Sequence, residues 1–200
     1  MSNRCWIAVC GAVVVSMFSL TGCGGPSTEE STPPAEEAAE PEAPEAKAES
    51  GGAGEALAEL APKSGSEVNG QAAFFTEGDT VTLSLSLQHL PPGVHAVHIH
   101  EFGDCSAADG ASAGGHWNPM GHNHGKWNQA PFHMGDLGNV TADEYGNGAI
   151  SITTSLWTIG TGQPDDVLGK SIIVHASADD YVTQPTGNAG GRIACGVIGK

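Results

Sequence analysis

Residues 80–87 read TVTLSLSL, polar and apolar side chains alternating one for one. Such alternation is what a half-buried β-strand requires, because successive side chains leave opposite faces of the pleat. The stretch NGQAAFFTEGDTV (69–81) sets a Glu-Gly-Asp turn between two apolar runs, the pattern of a hairpin. Further β-branched runs follow at GAISITTSLWTI (148–159), KSIIVHA (170–176) and RIACGVIG (192–199), each bounded by Gly, Pro or Asp. With EALAELA (55–61) and VHAVHIH (94–100) the count reaches about eight short strands, and helical periodicity is nearly absent. The pattern predicts an all-β domain, an eight-stranded antiparallel Greek-key sandwich or barrel. Two segments break it, 103–137 and 178–191, both rich in Gly, Asn, Asp and His or Pro. Connections this long inside a compact domain are usually functional or disordered, and here they are expected to carry the function.

Upstream of 55 the pattern is of another kind. Arg4 precedes an apolar stretch at 6–20, too short for a comfortable membrane span but right for the apolar region of a signal peptide. It ends in Leu20-Thr21-Gly22-Cys23, which resembles a bacterial lipobox, so residues 1–22 are expected to be removed and Cys23 to carry lipid. A plain secretory signal or an uncleaved anchor is the competing reading; all three take the chain out of the cytoplasm. Residues 24–54 are Glu, Ala, Pro, Ser and Gly with no aromatic side chain, eight acids standing against Lys47 for a net charge of −7. Such a segment cannot bury enough surface to offset the entropy of ordering it, so 23–54 is predicted to be a tether. As a flexible coil its ends would lie about 30 Å apart. Stretched out, it would reach on the order of 100 Å.

Charge narrows the partners. The chain carries −16 overall, and 55–200 holds 15 acids against Lys63, Lys126, Lys170, Arg192 and Lys200, a net of −10. A surface of that sign argues against nucleic acid as a partner. Once Cys5 and Cys10 leave with the signal and Cys23 takes lipid, only Cys105 and Cys195 remain. Two cysteines in an exported domain read as one disulfide. The loop it closes, about 90 residues, makes it worth on the order of 4–5 kcal/mol in the chain-entropy picture.

The nine histidines concentrate the chemistry. In VHAVHIHEFGDC (94–105), His98 and His100 share one strand face while His95 points the other way. Imidazole is the commonest transition-metal ligand, so the pair suggests a metal; a partly exposed strand with solvated histidines is the plainer alternative. The loop GGHWNPMGHNHGKWNQAPFHMGDLGNV (114–140) adds His116, His122, His124 and His133, with Asp136 three residues beyond the last. Three nitrogens and one carboxylate suit a closed, tetrahedral zinc site, although the spacing alone does not say which three. His175 ends the run SIIVH. LGKS (168–171) lacks the upstream glycine of a phosphate-binding loop and is set aside.

These segments, HAVHIHEFGDC, SAGGHWNP, FHMGDLGNVTAD, IIVHASADDY and GNAGGRIACGVIG, occur in order over essentially all of 55–200, and together they resemble copper–zinc superoxide dismutase. That family has a Greek-key sandwich fold, so the fold expectation now rests partly on the resemblance. The resemblance implies copper on His98, His100, His116 and His175, and zinc on His116, His124, His133 and Asp136, with His116 shared as an imidazolate. It implies a Cys105–Cys195 disulfide, although Cys105 sits earlier in its loop than in the animal enzymes. Arg192 matches the family's arginine beside the copper and Thr186 a residue at the channel mouth. Asp179 matches the carboxylate linking His98 to His124, and such outer partners orient imidazoles and set their tautomers. The implied activity is conversion of superoxide, the substrate, to oxygen and hydrogen peroxide, with His116 and Arg192 as the catalytic side chains. His116 would free its copper-side nitrogen in the reduced state and hold a proton for the forming peroxide. His95 is then a packing or hydrogen-bonding residue, His122 a bystander, His89 a surface residue at a turn, and the tryptophans packing groups. The rival reading is a non-catalytic copper-holding or structural relative; such relatives usually lose copper ligands or the arginine, and this chain retains them all. Family members form dimers through different faces or stay monomeric, so a homodimer is among the expectations, as is a membrane contact through the N-terminal lipid.

Overall fold

The computed structural model describes residues 54–200, so the signal, Cys23 and nearly all of the tether lie outside the described residues. Eight strands form the domain: β1 (Glu55–Pro62), β2 (Asn69–Glu77), β3 (Thr80–Gln88), β4 (Val94–His100), β5 (Asp136–Thr141), β6 (Gly148–Thr154), β7 (Ser171–His175) and β8 (Arg192–Val197). They hydrogen-bond in the order β5-β4-β7-β8-β1-β2-β3-β6, and every named pairing is antiparallel. The connections β3→β4, β5→β6 and β6→β7 cross between distant positions in that order, as in a Greek key. The result is a nearly closed antiparallel barrel with almost no helix, as the alternation predicts.

The pattern that predicted β3 also fills the core. Val81, Leu83, Leu85 and Leu87 are all buried, as is Phe74 of β2. Opposite them lie Val97 and Ile99 of β4, Ile172 and Val174 of β7, and Ile198 just past β8. Burying such a side chain fully is worth about 1.5–3 kcal/mol, so the barrel wall is rigid where it carries the site. Trp157 is buried too, its ring edge-on to Phe74 at 6.1 Å and 5.2 Å from Trp127. Its indole N–H donates to Met134 O at 3.2 Å, which moors the first long loop beside His133.

The structure departs from the strand pattern where β6 stops at Thr154, short of 155–159, and more sharply at β5. β5 opens at Asp136, inside the segment expected to be loop, and runs through Gly138 and Asn139, two residues that sequence propensity places outside strands. Pairing with β4 overrides that preference: His95 faces Val140 and Ala96 faces Asn139, with a register shift between Val97 and His98. A single turn of 3-10 helix at Ala111–Ala113 is the one helical element among the described residues.

Candidate metal centre

β4 and β7 are neighbours in the barrel wall, and the strand period decides which of their side chains meet. His98 and His100, two residues apart on β4, point into the same space as His175 at the end of β7. His116 joins them from the first loop, through an isolated bridge to His100 and a bond from Trp117 N–H to Ile99 O at 2.8 Å. All four are buried, and their ligand atoms lie within 4.8 Å of one another.

Hydrogen bonding decides which nitrogens are donors to a metal. His100 Nδ1 faces Gly114 O at 3.0 Å, His175 Nδ1 faces Gly190 O at 3.2 Å, and His98 Nε2 faces Asp179 Oδ2 at 2.9 Å. Those oxygens accept, so the three nitrogens carry the protons and the opposite ones carry lone pairs. His98 Nδ1, His100 Nε2, His175 Nε2 and His116 Nε2 are buried without a hydrogen-bond partner. Buried, partnerless lone pairs converging on one point are costly unless a cation joins them. Burial, helped by the neighbouring histidines, lowers the pKa of His116 to about 4 and of His175 to about 3 and pushes His100 well down, which keeps these rings neutral and their lone pairs available.

The second set is His116, His124, His133 and Asp136, again all buried and within 4.8 Å. Asp136 Oδ1 lies 2.9 Å from His116 Nδ1, 3.0 Å from His124 Nδ1 and 3.2 Å from His133 Nδ1, while His133 Nδ1 and His116 Nδ1 are 3.4 Å apart. A tetrahedron with bonds of about 2.0–2.1 Å has edges of about 3.3–3.4 Å, so the donors nearly outline a zinc polyhedron. His124 Nδ1 has no hydrogen-bond geometry to any acceptor despite its short approach to Asp136. Asp136 turns its other oxygen to the backbone N–H groups of His133 (2.8 Å) and Gly125 (3.1 Å), leaving Oδ1 for the cluster. Burial works against the charge of Asp136, yet its bonds to the histidines and to backbone hold its carboxyl far below the ordinary range. Burial likewise opposes a proton on His124, and the Asp136 and Asp179 carboxylates override it, raising that ring to about 9.

Asp179 ties the two sets together, with Oδ2 on His98 Nε2 and Oδ1 on His124 Nε2, both at 2.9 Å. Arg192, at the start of β8, donates from Nη1 to Gly110 O and from Nη2 to Gly114 O, each at 2.6 Å. Gly114 O therefore serves both the guanidinium and His100. Cys105 and Cys195 are disulfide-bonded with Cα atoms 5.8 Å apart, pinning the loop that presents these carbonyls to β8.

The two clusters thus share one histidine, His116. Residues 68–198 match the family model described as copper/zinc superoxide dismutase (SODC). The chain belongs to the copper/zinc superoxide dismutase family. It is 38% identical over 136 residues to "Superoxide dismutase [Cu-Zn] 2" of Aquifex aeolicus (strain VF5), which covers 66% of this chain and 80% of that one. It is 37% identical over 133 residues to "Superoxide dismutase [Cu-Zn] 1" of the same organism, at 64% and 79%. Among solved structures, a crystal structure of the clock protein EA4 is 36% identical and superposes with a TM-score of 0.64, covering 73% of this chain and 94% of that one. As a superoxide dismutase the protein uses copper and zinc to convert superoxide to oxygen and hydrogen peroxide.

The remaining sequence expectations fall around this centre. His95 is buried outside both clusters, its ring nitrogens 2.9 Å from His175 O and Pro91 O. His122 and His89 are exposed and join neither set. Thr186 lies exposed in the second loop, next to the buried Gly187. Sequence reading missed Asn139 and Gln184. Asn139 pairs with both backbone groups of Asp179, accepting from its N–H (2.8 Å) and donating to its carbonyl (3.0 Å). Partners 40 and 60 residues apart leave no local signal.

Proposed function

We propose that His98, His100, His116 and His175 hold the copper of this superoxide dismutase, and that His116, His124, His133 and Asp136 hold its zinc. One observation carries the assignment: His116 is the single residue common to both sets, with Nδ1 in the carboxylate-containing set and the partnerless Nε2 in the all-histidine set. Copper, when bound, supplies a centre that alternates between two oxidation states, and zinc a redox-inert charge. The donor types agree, since all-imidazole ligation suits copper and a tetrahedral set with a carboxylate suits zinc.

The chain's own residues then handle an anion and two protons, as 2 O2•− + 2 H+ gives O2 and H2O2. Arg192 is oriented by two carbonyls, one of them also fixing His100, so a cation stands beside the copper set to meet superoxide. With its Nδ1 held in the zinc set, His116 would take a proton at Nε2 whenever that atom is not held by copper, then pass it to the peroxide product. Asp179 holds His98 and His124 in fixed tautomers throughout. Thr186, exposed in the 178–191 loop, would stand at the mouth of the approach, as the family resemblance implies. Metal analysis of the purified protein should give one copper and one zinc per chain. Asp136→Ala should lose zinc first and loosen the 103–137 loop; full zinc retention in that variant would overturn the assignment.

We further propose that the enzyme works outside the cytoplasm on a lipid anchor at Cys23, followed by a tether over 24–54. The apolar stretch at 6–20 ending in Leu20-Thr21-Gly22-Cys23 supports this, as does a disulfide suited to an oxidising compartment. Mass spectrometry of the membrane fraction should find Cys23 acylated at a new N-terminus and Cys105 oxidised to Cys195. A soluble protein with a free Cys23 would refute the anchor and leave the enzyme intact.

A further inference from the structure

Three residues of the proposed zinc set are held by their immediate surroundings. His116 sits in the bridge to His100, and at the head of β5 Asp136 N–H donates to His133 O while Asp136 Oδ2 accepts from His133 N–H. His124 has no such support. Its N–H donates to Gln184 Oε1 at 2.8 Å, and its carbonyl accepts from Gln184 Nε2 at 2.9 Å. Among the described residues no backbone group pairs with either. Gln184 Nε2 also faces Val182 O at 3.2 Å, so its nitrogen meets two carbonyls, and this settles which way the amide points. The third contact on His124 is Asp179 Oδ1 on the ring. Everything that orients this ligand, apart from the zinc set itself, thus comes from the loop 55 to 60 residues further along the chain.

We infer that Gln184 is a positioning residue for zinc, a planar amide that clamps both backbone groups of His124 and so places its ring. The inference rests on reading His116, His124, His133 and Asp136 as the zinc set. A side-chain amide bonded to both the N–H and the C=O of one residue acts like a neighbouring strand and fixes the peptide planes on either side of it. His124 lies in a glycine-flanked stretch with no strand or helix to do this. The second long loop therefore contributes to zinc affinity without supplying a ligand, and zinc in turn holds that loop in place.

The test is Gln184→Met in the full chain, which keeps the side chain's length and removes both bonds. Zinc affinity, measured by competition with a chromophoric chelator, should fall about 10–100-fold, the usual cost of losing an outer-shell partner. Copper affinity should stay within about twofold, because the variant leaves the all-histidine set alone. Cobalt(II) placed in the zinc set should show shifted visible bands. Zinc affinity within about twofold of the parent would overturn the clamp while leaving the site assignment standing. A parent that takes up no zinc would bring down both. Should Gln184→Met fail to fold, amide exchange on the unsubstituted, zinc-loaded protein decides: the His124 N–H should be strongly protected, and exchange at the rate of a free peptide would refute the inference.

Discussion

His116 and His175 lie deep enough that burial sets their protonation. Lowered to about 4 and about 3, against an ordinary value near 6.5, both are neutral in the folded domain at neutral pH. In the metal-free protein, acid protonates these rings in the unfolded chain before it can do so in the folded one. The stability linked to them is complete above pH 6.5 and is lost as pH falls toward 4 and 3. For His116 alone the drop from 6.5 to about 4 corresponds to roughly 3 kcal/mol. His124 works in the opposite sense. Raised to about 9, it adds stability below 6.5 that disappears as pH rises through 9. Calorimetry of the chelated protein should therefore give a melting temperature that falls steeply from pH 6.5 to 4 and falls again as pH rises from 6.5 to 9. An unchanged value between pH 6.5 and 4 would contradict the burial argument.

At the scale of elements, the strands supply His98, His100, His175 and Asp136, the first loop adds His116, His124 and His133, and the second loop orients them. The turn of the second loop has a strict steric requirement at Gly187. Its φ is +63°, and a Cβ there would overlap the Asp179 carboxylate and stand 2.6 Å from His124 Nε2. Any side chain at 187 must break the bridge between the two metal sets or shift the loop. Gly187→Ala is expected to weaken zinc binding about 10–100-fold by chelator competition, with the strands unchanged by far-UV circular dichroism. Wild-type zinc affinity would mean that the loop yields without cost. The strands were legible because their burial is local: TVTLSLSL carries its own alternation, and its leucines are the core. β5 was not legible, since Asp136, Gly138 and Asn139 become strand only by pairing with β4.

For the whole molecule, charge governs how the substrate arrives. Residues 55–200 carry 15 acids against 5 basic residues, and ADDYVTQPTGNAGG (178–191) has no cation. Lys126 of the first loop reaches over it, its Nζ 5.7 Å from the centroid of the Tyr181 ring. The far field should repel superoxide, while Arg192 and the metals attract it at short range. Salt screens the first over about 8–10 Å and largely spares the second. The rate is expected to be flat or to rise slightly with ionic strength, and Arg192→Ala should lower it markedly at every salt concentration. A rate that falls steeply with added salt would show attractive steering and defeat this account.

What this sequence determined alone was whatever is written in periods and in residue type. Alternation set the all-β class, the glycine-rich breaks set the two loops, and the clustering of His98, His100, His116, His124, His133, His175 and Asp136 marked the metal chemistry. Parity along a strand even separated His95 from its neighbours, and the structure buries it outside both clusters. The tertiary structure alone decided which nitrogen of each imidazole is free, because carbonyls of Gly114 and Gly190 and the carboxylate of Asp179 take the other one. It placed His124 and not His122 beside His116, His133 and Asp136, a choice the loop spacing left open and the resemblance implied, and it alone brought Asn139 to Asp179 and Gln184 to His124. The physical reason is range: a strand's period acts over neighbouring residues, whereas a ligand's orientation depends on hydrogen bonds that close only after the barrel has brought distant loops together.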